Sequence, residues 1–129
     1  MAGFRKLTET EIWRSPLLRL TTSCFEAPSG EHFERDVVHH PGAVVVVPMV
    51  DDHRVVVVRQ YRAAIDAELL ELPAGKRDVD GEAPELTAAR ELEEEVGRSA
   101  GRIDLLARFY NSPGFSDELS HLYLARDLT

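Results

Sequence analysis

The sequence predicts an α/β or α+β domain in which a mixed β-sheet carries one well-marked helix. Several short runs of β-branched residues alternate with turn residues, and a single stretch is rich in helix formers. A chain of 129 residues is long enough for one domain with its own core. Within that unit we expect residues 1–41 to form N-terminal strands with a hairpin and residues 42–129 to form the main body.

The predicted strands are separated by turn signals. The segments 17–26 and 32–40 flank the turn sequence APSG and predict a β-hairpin. Two valine-rich runs follow, and such continuous apolar runs are typical of strands buried on both faces. The remaining predicted strands are residues 43–50, 55–59, 68–72, 103–110 and 119–125.

The helix is predicted over residues 87–96, where alanine, leucine and glutamate dominate. Gly97 is well placed to end it, and Pro84 suits its first turn. The preceding stretch, AGKRDVDGEAP, has the glycines, aspartates and proline of an exposed loop.

Composition narrows the class of partner. The net charge of −8 argues against nucleic acid or an anionic membrane as the main partner. The single cysteine, Cys24, excludes an internal disulfide and a cysteine-based metal site. The N-terminus lacks a signal-peptide core, and the longest apolar run, GAVVVVPMV, is too short to span a bilayer. We therefore expect a cytoplasmic protein.

The glutamates of RELEEEVG form the clearest candidate site. At about 100° per residue, Glu91, Glu94 and Glu95 share one helix face, while Ala89, Leu92 and Val96 form a separate stripe for packing. Clustered carboxylates suit a hard divalent cation that also contacts substrate phosphates. A glutamate-rich face that is merely solvated is the alternative, and the helix alone leaves it open.

The stretch GKRDVDGEAPELTAARELEEEVG resembles the Nudix box. Glu82 is followed by seven residues and then by Arg-Glu-Leu-Glu-Glu-Glu-Val-Gly, which matches the pattern position by position. Six residues rather than the usual five separate Gly75 from Glu82, and Arg98 stands where an aliphatic residue is usual. The first departure lengthens a loop, where insertions are tolerated.

Further motifs, HPGAVVVVP, VVRQYR, ELPAGK and SPGFSDE, resemble the ADP-ribose pyrophosphatase branch of the Nudix family. The resemblance implies a Nudix fold and metal-dependent hydrolysis of ADP-ribose, or of a similar nucleoside diphosphate-sugar, to AMP and ribose 5-phosphate. The alternatives are hydrolysis of another sugar nucleotide such as GDP-mannose, and a Nudix-fold binding module without turnover.

Carried over residue by residue, the resemblance implies a metal site holding more than one Mg²⁺ or Mn²⁺ ion. Glu91, Glu94, Glu95 and the backbone carbonyl of Ala74 would be the ligands, with Glu82 supporting the site or its waters. Arg90 would hold the loop against the helix through a carboxylate pair.

The resemblance also implies a catalytic base and substrate contacts. Glu118 in SPGFSDE would orient or deprotonate the attacking water, with Asp117 as the alternative. Arg62 and Arg35 would contact the diphosphate or ribose, and Phe33 would stack on the adenine, although ordinary strand packing explains Phe33 equally well. The five histidines show no ligand spacing and receive no role.

Two statements about architecture also follow from the resemblance. Relatives carry a second helix after the last strands, and that C-terminal helix is missing from this sequence. Relatives are homodimers in which the N-terminal hairpin reaches the partner, so residues 1–41 are the expected dimerisation element.

Overall fold

The computed structural model describes residues 3–129. Two compact units are present. The first comprises the chain up to Gly42 together with Tyr110–Leu119, and the second comprises Ala43–Phe109 together with Ser120–Thr129. The predicted division at residues 1–41 and 42–129 stays a prediction.

The first unit contains an antiparallel sheet of three strands in the order β1-β2-β3. The predicted hairpin is confirmed, because Arg19 pairs with His39 at one end and Glu26 with His32 at the other. Gly30 adopts a φ of 87° in the connecting turn, a conformation that glycine reaches without a steric penalty. The strands are β1 (Arg5–Arg14), β2 (Arg19–Glu26) and β3 (His32–His39).

Strand β1 was not predicted from the sequence. Every one of its ten residues is exposed, so no face of the strand requires apolar residues. The alternation that marks a half-buried strand is therefore absent, and only pairing with β2 defines the element.

The second unit contains most residues of the other elements and confirms the predicted fold class. Its four-stranded sheet has the order β7-β4-β9-β8. The sheet is mixed, because β4 runs parallel to β9 and antiparallel to β7. In chain order the elements are β4 (Ala43–Pro48), β5 (Val58–Arg62), β6 (Ala67–Glu71), β7 (Ala74–Lys76), α1 (Pro84–Val96), β8 (Ala100–Tyr110) and β9 (Leu119–Leu128).

The valine-rich runs differ from the prediction of strands buried on both faces. Strand β4 alternates between buried and partly buried residues. Strand β5 begins only at Val58 and is largely exposed, since it pairs with β6 in a separate two-stranded ribbon. The predicted loop also contains a strand, because β7 pairs with β4 from Ala74 to Lys76.

Helix α1 confirms the predicted helix and both of its end signals. It begins at Pro84, and Gly97 ends it in the left-handed region at a φ of 72°. It is the one α-helix in residues 3–129, so no second helix follows β9 there. No helix among these residues is long and apolar enough to cross a membrane.

Helix α1 packs on the sheet through a core shared with β4 and β9. Leu92 is fully buried, as predicted, and Val96 packs against the edge of the core. Ala89 is exposed and Ala88 is buried instead, so the prediction that Ala89 belongs to the packing stripe was wrong. The core consists of Val44, Val46, Ala88, Leu92, Tyr123 and Ala125.

Replacing Leu92 with alanine should destabilise the protein by about 2–5 kcal/mol, because the change leaves a cavity under the helix. Leu86→Ala is the matched control, since Leu86 lies on the same helix and is 62% exposed; its effect should stay within about 0.5 kcal/mol. Urea unfolding followed by circular dichroism measures both. Equal losses in the two variants would contradict the assigned packing face.

Candidate functional site

The carboxylate face of α1, formed by Glu91, Glu94 and Glu95, is not uniformly exposed. The side chain of Glu91 retains 12% of its accessible surface, whereas that of Glu94 retains 57%. Glu91 points toward Gly75 of β7, and Leu92 and Ala88 on the same helix are buried. The separation between packing stripe and carboxylate face, predicted from the helical wheel, therefore does not hold for Glu91.

Strand β7 approaches Glu91 at Gly75. A Cβ atom placed on Gly75 would lie 2.2 Å from Cδ of Glu91 and 2.3 Å from its Oε1, far inside van der Waals contact. Gly75 is therefore required for space rather than for an unusual backbone angle. The absent side chain leaves the volume that the Glu91 carboxylate occupies.

The loop before α1 is joined to the helix by hydrogen bonds to Glu82, a group of contacts called here the Glu82–Arg90 clamp. Arg90 donates to Oε1 of Glu82 at 2.8 Å, and the Thr87 hydroxyl donates to the same oxygen at 2.6 Å. Arg90 also lies 3.3 Å from Glu91 and 3.8 Å from Glu94. These contacts support the expected structural role of Arg90, and the hydrogen bonds hold the pKa of Glu82 below its ordinary value.

The electrostatics of the carboxylate face favour added positive charge. Burial raises the pKa of Glu91, and the neighbouring carboxylates of Glu95 and Glu94 raise it further. Burial also raises the pKa of Glu95, against a hydrogen bond from the Ala74 amide, whose nitrogen lies 3.3 Å from Oε2. The negative charges of both ionised side chains are therefore only partly balanced by the positive charges and hydrogen-bond donors of the protein itself.

Arg62 faces a partner that sequence reasoning did not assign. Its Nε donates to Oε2 of Glu71 at 2.7 Å, and its Nη2 donates to the other carboxylate oxygen. This bidentate pairing lowers the pKa of Glu71, while the charge of Arg62 partly offsets the rise that burial causes in the pKa of Glu95. Glu71 is the first residue of the ELPAGK motif, two residues before Pro73, and that motif was the sequence signal from which its role could have been inferred.

The donor set fits a divalent cation, although the carboxylates do not form a closed cage. In residues 3–129 no three His, Cys, Asp or Glu side chains are gathered tightly enough to enclose an ion. Mg²⁺ typically uses one or two carboxylates and completes its shell with water and substrate phosphates. The desolvated Glu91 beside Glu94 and Glu95 meets that requirement.

The predicted adenine contact lies in the first unit, within an aromatic cluster. Phe33 stacks on Phe25 with ring centroids 5.4 Å apart, and Phe4 meets it edge-on at 6.4 Å. The Arg35 guanidinium lies 4.9 Å from the centre of the Phe33 ring, a cation–π distance. Phe33 and Arg35 are thus brought together, as a cluster that also serves strand packing.

The proposed base also belongs to the first unit, where histidines hold the neighbouring carboxylates. His39 Nδ1 lies 2.7 Å from Asp117, and His40 Nε2 lies 3.3 Å from Glu118. Burial alone would raise the pKa of Asp117, but hydrogen bonds from the His40 amide and the His39 ring outweigh it and lower that pKa. These histidines received no role from the sequence, because nearly eighty residues separate them from their partners.

Comparisons with known proteins show which family this chain resembles. The family model of the NUDIX domain matches residues 38–129. An ADP-ribose pyrophosphatase of Bacillus subtilis is 38% identical over 97% of this chain and 67% of its own length. Another, of Mycobacterium tuberculosis, is 42% identical over 97% of this chain and 60% of its own length.

A solved structure extends the likeness to the fold. The crystal structure of an ADP compounds hydrolase superposes with a TM-score of 0.85 at 26% identity, covering 100% of this chain and 70% of that one. The NUDIX match covers most of the chain and includes the carboxylate face, the Glu82–Arg90 clamp and Glu118. The chain belongs to the Nudix family.

Proposed function

We propose that this protein hydrolyses the diphosphate bond of ADP-ribose, or of a closely similar nucleoside diphosphate-sugar. Water adds to one phosphorus atom as the bridging P–O bond breaks, which gives AMP and ribose 5-phosphate. The observation that carries the proposal is the under-compensated carboxylate face of α1, with Glu91 desolvated against Gly75. The likeness to two ADP-ribose pyrophosphatases supports the substrate.

The metal ions belong to the proposal. We assign Glu91, Glu94, Glu95 and the Ala74 carbonyl to more than one Mg²⁺ or Mn²⁺ ion. Such cations, when bound, neutralise the diphosphate and lower the pKa of water. The chain itself contributes the fixed positions of the carboxylates, which Gly75 and the Glu82–Arg90 clamp support. The homodimer and the cytoplasmic location stay predictions.

The remaining roles follow the family resemblance. Glu118 is assigned as the base that takes a proton from the attacking water, and Glu82 as the support of the metal site. Arg62, held by Glu71, is assigned to the substrate's phosphate or ribose oxygens, for which a guanidinium fork is suited. Arg35 is a second candidate contact of that kind, and Phe33 is assigned to the adenine.

The test is hydrolysis of ADP-ribose with Mg²⁺, beside GDP-mannose and an EDTA blank, with products separated by chromatography. We expect AMP and ribose 5-phosphate from ADP-ribose only when metal is present. Turnover of GDP-mannose alone would overturn the substrate and keep the reaction class. Turnover of neither would contradict the hydrolase and favour a binding module.

Glu94→Gln and Glu95→Gln should each lower kcat roughly 100-fold or more, the scale of losing one electrostatic stabiliser of a transition state. Each variant keeps the size of the side chain and removes its charge, so urea unfolding should change little. Glu93→Gln is the matched control, because Glu93 is exposed on the same helix and points away from the other three. Wild-type turnover in both test variants would eliminate the carboxylate face as a metal site.

Gly75→Ala should weaken Mn²⁺ binding about 10-fold or more, because the new methyl group must displace the Glu91 carboxylate. Free Mn²⁺, measured by electron paramagnetic resonance, gives the affinity. The same change made in a Glu91→Ala background should have no further effect. An equal loss in that background would show that Gly75 acts through something other than Glu91.

A further inference from the structure

The loop that carries Glu118 is docked on the end of β3. Val38 donates its amide to the Phe115 carbonyl at 2.7 Å, and the Asp117 amide donates to the Val38 carbonyl at 3.2 Å. At the base of the loop, Asn111 donates its amide to the Glu118 carbonyl at 3.1 Å. Backbone hydrogen bonds therefore fix both sides of the loop before any side chain contributes.

Asp117 anchors the same loop through its carboxylate. One oxygen accepts the His40 amide at 3.0 Å, and the other lies 2.7 Å from Nδ1 of His39. Nε2 of His39 in turn lies 2.8 Å from the buried hydroxyl of Thr21 on β2. Both carboxylate oxygens of Asp117 therefore have partners that hold the loop on the end of β3.

Each carboxylate oxygen of Glu118 has a polar neighbour, a hydrogen-bond donor at one oxygen and a histidine ring nitrogen at the other. Asn111 donates from Nδ2 to Oε1 at 2.7 Å, and Nε2 of His40 lies 3.3 Å from Oε2. The His40 side chain retains 12% of its accessible surface and that of Glu118 retains 25%. The carboxylate therefore has one hydrogen bond, one ion-pair neighbour and some access to solvent.

The position of the proton on His40 follows from its other nitrogen. The Gly42 amide donates to Nδ1 of His40 at 2.9 Å, so Nδ1 is an acceptor and carries no hydrogen. The neutral ring must then carry its hydrogen on Nε2, the nitrogen that faces Glu118. The Nε2–H group lies 3.3 Å from Oε2 of Glu118, and its positive end attracts the carboxylate without removing the capacity of that carboxylate to accept a proton.

We propose that His40 is a positioning residue for Glu118, acting through its Nε2–H. The inference rests on the proposed function, in which Glu118 is the base. A base must lie within a hydrogen bond of the water that it deprotonates, and a small misplacement lowers the rate strongly. Loss of the His40 contact should therefore lower kcat and leave KM nearly unchanged.

Two substitutions test the roles of the two ring nitrogens of His40 separately. His40→Asn places an amide near the position of Nδ1, where its oxygen can still accept the Gly42 amide, but it removes the donor to Glu118. His40→Gln extends an amide N–H to about the position of Nε2. On ADP-ribose we expect kcat to fall about 10-fold or more in the first and to return to within about 3-fold of wild type in the second.

A double-mutant cycle with Glu118→Gln tests whether His40 acts through Glu118. In that background, His40→Asn should cause no further loss of the residual turnover. Asn111→Ala removes the contact to the other oxygen of Glu118 and should show the same dependence on Glu118. His53→Asn, in an exposed turn of the second unit, is the control that should leave activity unchanged.

The outcomes are distinguishable. Wild-type protein without metal-dependent turnover would overturn the proposed function and this inference together. Active wild type with wild-type kcat in His40→Asn would overturn the inference alone, whatever the effect of Asn111→Ala. Equal losses with Glu118 and with Gln at position 118 would assign His40 a structural role, and full activity of Glu118→Gln would remove the base that His40 is proposed to hold.

Discussion

The close approach of α1 to β7 at Gly75 is the constraint on which the carboxylate face depends. Burial of Leu92 and Ala88 draws the helix onto the sheet, and the missing side chain of Gly75 leaves space for the Glu91 carboxylate. The same packing that stabilises the second unit therefore desolvates a charge. A helix seated less closely would leave Glu91 in solvent and remove the part of its pKa rise that burial causes, with less reason to hold a cation.

The Glu82–Arg90 clamp limits that electrostatic cost without removing it. Arg90 forms its shortest contact with Glu82 and only longer ones with Glu91 and Glu94. One guanidinium thus organises the loop and partly balances the helix, but the pKa of Glu91 remains raised. A cation that also binds substrate phosphates would balance the remaining negative charge. Such a cation would explain why the protein keeps a buried carboxylate at this position.

The sequence predicted those elements whose signals are local. Pro84 and Gly97 marked the ends of α1 because both act through their own backbone, and the APSG turn marked the hairpin. Strand β1 and the exposed β5–β6 ribbon were missed or misjudged, because pairing rather than burial defines them. The helical wheel grouped Glu91 with Glu94 and Glu95 correctly, but only the position of β7 reveals that Glu91 is buried.

The histidines beside Asp117 and Glu118 could not be predicted from the sequence. His39 and His40 follow β3, whereas their carboxylates lie in a loop before β9, and no spacing in the chain links them. Asp117 also differs electrostatically from the carboxylates of α1. Donors lower the pKa of Asp117, whereas Glu91 and Glu95 have raised pKa values. A carboxylate whose charge is met by hydrogen-bond donors suits a fixed position in a loop, and carboxylates whose charge is only partly balanced suit cation binding. The contrast therefore supports different roles for Asp117 and for the glutamates of α1.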